Sequence, residues 1–469
     1  MTERDAGFVV DTGQVLDAEA AGEDVGPPDA GTDAGPADTG TLDAETDAGP
    51  EDAGAVADLG PADTGPRTFA YSRIDLSVTG QSLSVGGASD EALSLTVPNG
   101  IDARRYWRFP DNLPTPPRLM PLVVDTAAGE GAEAPAIGMG WTLGYRTGLP
   151  VVAQSSGRIG QPYEVIAPGQ TPETESHQTL IDNHEAIVNA LGTDAGLILA
   201  VIHGESDADG TNDEYYLDLY EWLDETEADF RQIYSQPGLE LIMVIDQISR
   251  RYQLWGGPEL LIPNQQRRAA TERSDIFLVG PKYQYNYVDD IGHLDAESYR
   301  LLGAQFGKVI SEIAMGRGWR PLEPTAVASA NGGNAIDVTF HVPVPPLVVE
   351  SASFRFLEQP YPTKPGLGFT YMDDGADETR PEVTSVTLTG QNTLQIGLSA
   401  PLRGAQSPRL QYAVQGAFDD VGHDDTNRAY GTIHDSDTTD LGPHIPVPTD
   451  EPHPASNWLV HFEEAIVVP

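Results

Sequence analysis

Between Arg67 and about Arg320 the sequence alternates short apolar runs with stretches of helical periodicity. Four runs are typical of buried parallel strands: Leu119–Val124, Leu197–Ile202, Leu239–Ile245 and Ile276–Val279. Apolar residues recur at helical spacing in residues 179–192, 213–235 and 295–316, the last with Asp295 as a predicted N-cap and Gly316 as a stop. Because parallel strands need long connections, this alternation predicts an α/β domain, a three-layer α/β/α arrangement around a mostly parallel sheet.

The two ends of the chain differ from this middle part. From about Pro321 to residue 469, short alternating runs separated by Gly, Pro, Asn and Asp predict an antiparallel β-sandwich domain. Residues 1–66 hold 17 acidic residues and one basic residue, and have few large apolar side chains. Such a segment buries too little surface to offset its ordering entropy, so we predict a disordered acidic linker. The expected domains are therefore 1–66, 67–320 and 321–469.

Charge excludes several classes of partner. The 469 residues include 26 basic and 72 acidic side chains, for a formal net charge of -46. Nucleic-acid binding depends on cations that neutralise phosphates, so a nucleic acid is not an expected partner, and anionic membrane surfaces are disfavoured. The chain has no cysteine, which excludes a thiolate nucleophile and cysteine-bound zinc. No apolar run is long enough to predict a transmembrane segment.

The acidic linker bears on where the protein works. Asp/Ala/Gly/Pro/Thr-rich segments of this kind resemble the tethers that follow the lipid anchor of bacterial surface lipoproteins. The resemblance implies a secreted or cell-surface protein, with a targeting segment and a lipid anchor expected upstream of this chain. The alternative is a low-complexity tail that specifies no location.

A serine follows the first predicted strand. The alternating run Ile74, Leu76, Val78 leads into Gly80-Gln81-Ser82. A serine hydroxyl needs a base to accept its proton, and that base is usually a histidine oriented by a carboxylate. Asp290 and His293 stand three residues apart just before the last predicted helix, which would place them side by side, whereas the rival Asp289 does not fit that spacing. A turn in which Ser82 only caps a helix is the structural alternative.

An acyl-transfer site also needs donors for an oxyanion. Two predicted strands end in glycine-containing loops that could supply them. One loop is His203-Gly204-Glu205-Ser206-Asp207, and the other contains Gly157, Arg158 and the rival donor Gly160. For Arg158 an exposed loop position is expected, with contact to an acidic sugar as the alternative.

The order of these blocks resembles the SGNH (GDSL-type) hydrolases, in particular the sialate O-acetylesterase and acetylxylan-esterase branch. The resemblance covers residues 67–320. It implies a flavodoxin-like fold with Ser82 as nucleophile, His293 as general base and acid, and Asp290 as its orienting carboxylate. Further site residues that it implies are the Ser82 and Gly157 amides as oxyanion donors, and Gln81, Gly204 and Glu205 as supporting residues, with Glu205 expected to order its loop. The family has glutamine as the side-chain donor where this chain has His203, which is either that donor or only a polar residue at a strand end.

The function implied by the resemblance is serine-dependent hydrolysis of a carboxylic ester, above all short acyl (acetyl) groups on a saccharide. No cofactor and no metal are expected. Two acidic clusters, Asp373–Glu378 and Asp419–Asn427, could offer oxygen ligands to calcium but are expected to be solvated loops. The alternatives are a lipid or polyester esterase of the same fold, and a surface-tethered glycan-binding protein with a relic hydrolase domain. The sequence carries no signal for an oligomeric state.

Overall fold

The apolar runs in the first two thirds of the chain become neighbouring strands of one sheet. The structure, a computed structural model, describes residues 69–89, 91–105, 119–124, 132–169, 175–208, 212–249, 260–288, 292–350, 366–414, 431–447 and 452–468. The strands are Ile74–Gly80 (β1), Ala103–Arg105 (β2), Met120–Pro121 (β3), Val151–Ser155 (β4), Gly196–Ile202 (β5), Ile242–Gln247 (β6) and Ile276–Pro281 (β7). Their order is β3-β2-β4-β1-β5-β6-β7. All neighbours are parallel except β2 and β3.

One strand prediction was wrong. The run Leu119–Val124 is not a buried parallel strand, because only Met120–Pro121 pairs, and it pairs antiparallel at the edge of the sheet. A proline has no N–H for a ladder bond, which confines Pro121 to such an edge. Of the other three predicted runs, Leu197–Ile202 lies in β5, Ile276–Val279 lies in β7, and Leu239–Ile245 overlaps β6 from Ile242 onward.

In the described part of the chain, six helices connect and cover these strands. They are Pro135–Thr147 (α1), Tyr163–Ile166 (α2), Glu175–Leu191 (α3), Tyr215–Ile233 (α4), Leu261–Glu272 (α5) and Ala296–Ala314 (α6). The predicted cap of α6 is confirmed, since the Asp295 carboxylate accepts a hydrogen bond from the Ser298 N–H at 2.7 Å. No helix among the described residues is both long and apolar enough to cross a membrane.

Each face of the sheet buries its own core. Along β5, Ile198, Ala200 and Ile202 pack with α1 and α6, whereas the alternate residues Leu197, Leu199 and Val201 pack with Trp222, Leu223 and Phe230 of α4. Successive side chains of a strand point to opposite faces, so a strand buried on both faces reads as a continuous apolar run. The fold is therefore mixed α/β with a sheet that is mostly parallel.

Helices α1 and α6 lie unusually close together. A Cβ added at Gly138 would lie 2.3 Å from the Arg300 carbonyl oxygen, and one added at Gly303 would lie 2.2 Å from the Pro135 carbonyl oxygen. Any larger residue at either position would force the helices apart. Gly138, which weakens α1 as an isolated helix, thus allows α1 to pack against α6.

The C-terminal part is built from antiparallel strands. They are Glu323–Ala330 (β8), Ala335–His341 (β9), Leu347–Val349 (β10), Phe369–Met372 (β11), Val383–Leu388 (β12), Thr393–Leu398 (β13), Arg409–Tyr412 (β14), Ile433–Asp435 (β15) and Phe462–Ala465 (β16). Three sheets result, ordered β12-β13-β9-β8, β11-β14-β16 and β10-β15. Residues 351–357, one of the short alternating runs of the predicted β-sandwich, and the predicted linker at residues 1–66 lie outside the described residues.

The C-terminal part also completes the cores of the parallel sheet. Leu441 and Ile445 pack into the core beside α1 and α6, and Val460 packs into the core beside α4. In the opposite direction, Tyr283 from the end of β7 lies in the core of the antiparallel sheets, where its hydroxyl donates to the Leu459 carbonyl at 2.6 Å. The division predicted at residue 320 falls between α6 and β8 and stays a prediction, although the two parts share buried side chains.

The buried histidines of the described residues include His184, His444 and His461. Burial penalises the charged imidazole and lowers their pKa values to about 3, about 4 and about 3, respectively. In the unfolded chain the same side chains titrate near ~6.5. Below that pH the unfolded state therefore binds protons that the folded state does not.

We expect the free energy of unfolding to fall as the pH drops from about 7 to about 5. Each of the three histidines contributes a loss of about 1.4 kcal/mol per pH unit below its unfolded pKa. The Asp246 carboxyl, whose burial raises its pKa to about 6, acts in the opposite direction, as do the Asp75 and Asp435 carboxyls, whose pKa values burial also raises. Thermal unfolding followed by circular dichroism across this range tests the expectation, and His461→Gln should remove the share of one histidine from the slope, about 1.4 kcal/mol per pH unit. An unfolding temperature that stays constant between these pH values would contradict it.

Candidate active site

Ser82 is presented by an abrupt end to β1. Gly80 has a φ of 129°, and a Cβ there would lie 2.1 Å from the Ile202 carbonyl oxygen, so only glycine fits. The next residue, Gln81, donates its N–H to that same oxygen at 3.2 Å. The chain then turns into a short 3₁₀ helix, Ser82–Val85, which begins with the serine. Ser82 thus stands at the carboxyl end of a buried strand, where sites of parallel α/β sheets collect.

His293 is held by the connection between β7 and α6. An antiparallel bridge joins Tyr287 to Leu294, and the Val288 N–H donates to the His293 carbonyl oxygen at 2.9 Å. Asp295 then caps α6. The backbone of His293 is therefore held by its hydrogen bond to Val288, and the residues after it are held by the bridge at Leu294 and by the capped helix α6.

The structure brings Ser82 and His293 together. The His293 Nε2 atom lies 2.7 Å from the Ser82 Oγ atom, which is hydrogen-bond distance. Gly87 lies against both residues, since a Cβ there would be 2.8 Å from the Ser82 Cβ and 3.3 Å from the His293 Cδ2. This geometry allows the imidazole to accept the hydroxyl proton. The predicted orienting carboxylate Asp290, and its rival Asp289, lie outside the described residues.

The loop after β4 lies beside the serine. The Ser156 N–H donates to the Val78 carbonyl at 2.9 Å and the Arg158 N–H donates to the Gly80 carbonyl at 2.8 Å, so this loop extends the pairing of β4 with β1. A Cβ at Gly157 would fall 1.8 Å from the Ser84 Oγ atom. Gly160, in contrast, has no heavy atom within 4 Å of an added Cβ, which places it in open space. Of the two candidate glycines, Gly157 is the one packed against the turn that carries Ser82.

His203 does not have a free N–H to offer. Its Nε2 atom lies 3.0 Å from the Gln161 carbonyl oxygen, to which it must donate, and its Nδ1 atom lies 2.8 Å from the Tyr215 hydroxyl. A neutral imidazole has one donor and one acceptor, and both are used here. The prediction that His203 is a side-chain oxyanion donor is therefore corrected: it is a buried residue that ties the loop after β4 to α4.

Two of the supporting residues order the loop after β5. The Gln81 side-chain oxygen accepts from the Ser206 N–H at 3.1 Å, which links the two strand ends. Gly204 has a φ of 133° and lies among Ile248, Ile262 and Gln266, with an added Cβ 3.0 to 3.1 Å from their side chains. Gln81 and Gly204 thus lie where the turn after β1 meets the loop after β5.

Glu205 belongs to a buried charge network that sequence reasoning did not find. Lys282 directly follows β7, and its Nζ atom lies 2.5 Å from Glu205 Oε1 and 2.5 Å from Asp246 Oδ2. All three side chains are at most 2% exposed. Burial raises the pKa of Asp246 to about 6 against the effect of the ammonium, whereas the two carboxylates hold the pKa of Lys282 above its usual value despite burial. We name this trio the 205–246–282 network.

The network joins the carboxyl ends of three adjacent strands, β5, β6 and β7. Its only sequence signal is a lysine, Lys282, directly after a strand that is otherwise apolar. A charged residue in that position is ordinarily exposed, so no sequence pattern pairs Lys282 with carboxylates from two other segments.

The predicted acidic clusters are partly described. Arg403 forms an ion pair with Asp373, and Arg409 lies 3.0 Å from Asp374. The residues of the second cluster, 419–427, lie outside the described ranges. Within the part of the chain that the structure describes, no three histidine, aspartate or glutamate side chains are grouped so that they could hold a metal ion.

No family model and no curated protein sequence matches the chain. Among solved structures, a carbohydrate acetylesterase from Xanthomonas citri is similar at 14% sequence identity and a TM-score of 0.51, over 84% of this chain and 80% of that enzyme. The two chains share a fold. NanS is 12% identical with a TM-score of 0.37, over 53% of this chain and 99% of its own. A carbohydrate esterase family 2 enzyme from Corynascus thermopiles is 14% identical with a TM-score of 0.27, over 54% of this chain and 69% of its own.

Lys282→Met should destabilise the protein by about 3–5 kcal/mol, because it leaves two buried carboxylates without their cation. The free energy of unfolding in urea measures the loss. Arg268→Met is the matched control, since Arg268 pairs with Glu272 in an exposed position and its loss should cost far less than that of Lys282. Adding Glu205→Gln and Asp246→Asn to Lys282→Met should recover part of the loss. A cost for Lys282→Met no larger than that of the control would refute the role assigned to the network.

Proposed function

We propose that the protein is a serine esterase that hydrolyses carboxylic esters through an acyl-enzyme on Ser82. One observation carries the proposal: the 2.7 Å contact between Ser82 Oγ and His293 Nε2 at the carboxyl end of β1. The fold shared with a carbohydrate acetylesterase supports it. The order of the sequence blocks, which resembles that of the SGNH hydrolases, also supports it. In this proposal residues 67–320 form a three-layer catalytic domain and residues 321–469 form a β-sandwich.

The proposed reaction has two halves. Ser82 Oγ attacks the ester carbonyl while His293 accepts its proton, and His293 then gives the proton to the departing alcohol. Water, deprotonated by His293, releases the acid from the acyl-enzyme. Asp290 is proposed to orient the imidazole. The amides of Ser82 and Gly157 are proposed to donate to the oxyanion, and this scheme does not use His203 as a donor.

We propose short acyl groups, above all acetyl, on a saccharide as the substrate class. The support is the fold shared with an enzyme described as a carbohydrate acetylesterase, together with the sequence resemblance to the acetylesterase branch of the SGNH hydrolases. A lipid or polyester esterase is the alternative within the same chemistry. The acidic segment at residues 1–66 supports a secreted or surface-tethered location.

Ser82→Ala should lower kcat/KM for p-nitrophenyl acetate by at least about a thousandfold, because no other hydroxyl is proposed to accept the acyl group. The measurement is release of p-nitrophenol over a series from acetate to octanoate. Ser72→Ala, which removes an exposed hydroxyl that bonds only to the Asp194 carbonyl, is the control and should retain wild-type rates. Rates that fall steeply beyond acetate fit a small acyl pocket, and rates that rise with chain length favour the lipid or polyester alternative.

A fluorophosphonate probe followed by peptide mass spectrometry identifies the nucleophile directly. The adduct should lie on Ser82 and be absent from Ser82→Ala. Labelling of a different serine, or undiminished hydrolysis by Ser82→Ala, would disprove the assignment. If wild type hydrolyses no ester and takes up no probe, the glycan-binding alternative gains support.

Gly157→Ala should lower kcat by about tenfold or more, since its Cβ would fall 1.8 Å from Ser84 Oγ and displace the proposed oxyanion donor. Adding Ser84→Ala removes that oxygen and leaves the Ser84 Cβ at 3.1 Å, so the double variant should recover part of the loss. Steady-state kinetics on p-nitrophenyl acetate measures both, with Gly160→Ala as a comparison in open space. If Gly160→Ala lowers kcat more than Gly157→Ala does, the donor assignment is wrong.

A further inference from the structure

The chain that follows the 3₁₀ helix folds back onto both residues of the Ser82–His293 pair. The N–H of Gly87 donates to the Ser82 carbonyl oxygen at 2.8 Å. A Cβ added at Gly87 would lie 2.8 Å from the Ser82 Cβ, 3.0 Å from the Ser82 carbonyl oxygen and 3.3 Å from the His293 Cδ2. Gly87 therefore lies in contact with the serine and with the imidazole ring, and a side chain there would displace at least one of them.

The neighbours of Gly87 hold its backbone in an unusual path. Gly86 has a φ of 76°, and a Cβ there would lie 2.1 Å from the Glu133 carbonyl oxygen, so glycine is required. Ala88 has a φ of 59°, a left-handed conformation that is unfavourable for a residue with a Cβ. Such a conformation persists only where surrounding contacts hold it in place.

Tyr299 supplies one of these contacts. Its side chain is fully buried on the first turn of α6, and its hydroxyl donates to the Gly87 carbonyl oxygen at 2.7 Å. The N–H of Tyr299 donates to the carbonyl oxygen of Asp295, the residue that caps the helix. The helix that follows His293 thus also holds, through one tyrosine hydroxyl, the segment that packs against Ser82.

We propose that Tyr299 is a positioning residue, which sets the spacing between Ser82 Oγ and His293 Nε2 through Gly87. This inference rests on the proposed esterase function and adds to it a residue that takes no part in the proton transfers. Its physical basis is that the serine and the histidine belong to separate elements, whereas proton transfer needs them at hydrogen-bond distance. A misplacement of about 1 Å costs a reaction of this kind about a hundredfold in rate.

Tyr299→Phe removes only the hydroxyl, and we expect it to lower kcat for p-nitrophenyl acetate by about tenfold. Both halves of the proposed reaction use His293, so acylation and deacylation should slow together and KM should stay within about twofold of the wild-type value. Labelling of Ser82 by the fluorophosphonate probe should slow by the same factor as kcat, because it needs the same activated hydroxyl and no deacylation step.

Tyr283→Phe is the matched control. The Tyr283 side chain is also fully buried, and its hydroxyl also donates to a backbone carbonyl, but that carbonyl belongs to Leu459 in the C-terminal part. The two variants should lower the unfolding temperature by similar amounts, since each leaves one buried carbonyl without its donor. Only Tyr299→Phe should change kcat and the labelling rate.

Gly87→Ala tests the contact from the other side and should lower kcat by about tenfold or more. Added to Gly87→Ala, Tyr299→Phe should cost less than its separate factor, because both changes act on one contact, whereas Tyr283→Phe should leave the rate of Gly87→Ala unchanged. Tyr299→Phe with the kcat and labelling rate of Tyr283→Phe, or with its full separate factor in the double variant, would overturn the inference and leave the esterase proposal standing. A wild-type protein that hydrolyses no ester and takes up no probe would overturn both.

Discussion

The close contact between the ends of the adjacent strands β1 and β5 determines where the rest of the site can lie. Gly80 touches the Ile202 carbonyl oxygen, and Gln81 donates its N–H to the same atom. That contact stops β1 and turns the chain into the 3₁₀ helix at Ser82. Any side chain at residue 80 would separate the two strands, because the atom it would strike is backbone and cannot swing away. The position of the candidate nucleophile is thus determined by backbone contacts between two strands and does not depend on the other side chains of the site.

The far side of the site depends on buried charge and on the C-terminal part. The 205–246–282 network holds the ends of β5, β6 and β7 together, and Lys282 stands at the start of the connection that ends at His293. The backbone N–H of Lys282 donates to Ser249 Oγ at 2.9 Å, and that oxygen lies 2.7 Å from Nε2 of His461 in the C-terminal part. Removing one partner from a buried ion pair leaves an uncompensated charge, which is costly. We therefore expect the ends of β5, β6 and β7 and the start of the connection to His293 to move as one rigid element.

Much of the fold could be predicted because burial on both faces gives strands a strong apolar signature. The runs in β5, β6 and β7 were found for that reason, and α6 was found from its apolar spacing and its Asp295 cap. Helix α1 was missed because its glycines suppress the helical signal, although one of them, Gly138, allows the close approach to α6. Helix α5 was missed because its buried face includes Pro263 and Gln266, which do not register as apolar. In both helices tertiary contacts override local propensity.

The site was predictable only as far as it depends on strand ends. Ser82 follows a strand and His293 precedes a helix, and parallel topology brings such positions to one edge of the sheet. The partners of a side chain carry no comparable signal. His203 stands at a strand end like a site residue, yet its ring is committed to Gln161 and Tyr215. Lys282 has the sequence context of a surface lysine, yet it is buried between two carboxylates that lie more than thirty residues away along the chain. Hydrogen-bond and ion-pair partners depend on three-dimensional packing. The order of residues along the chain therefore predicted where the site lies but could not assign its oxyanion donors.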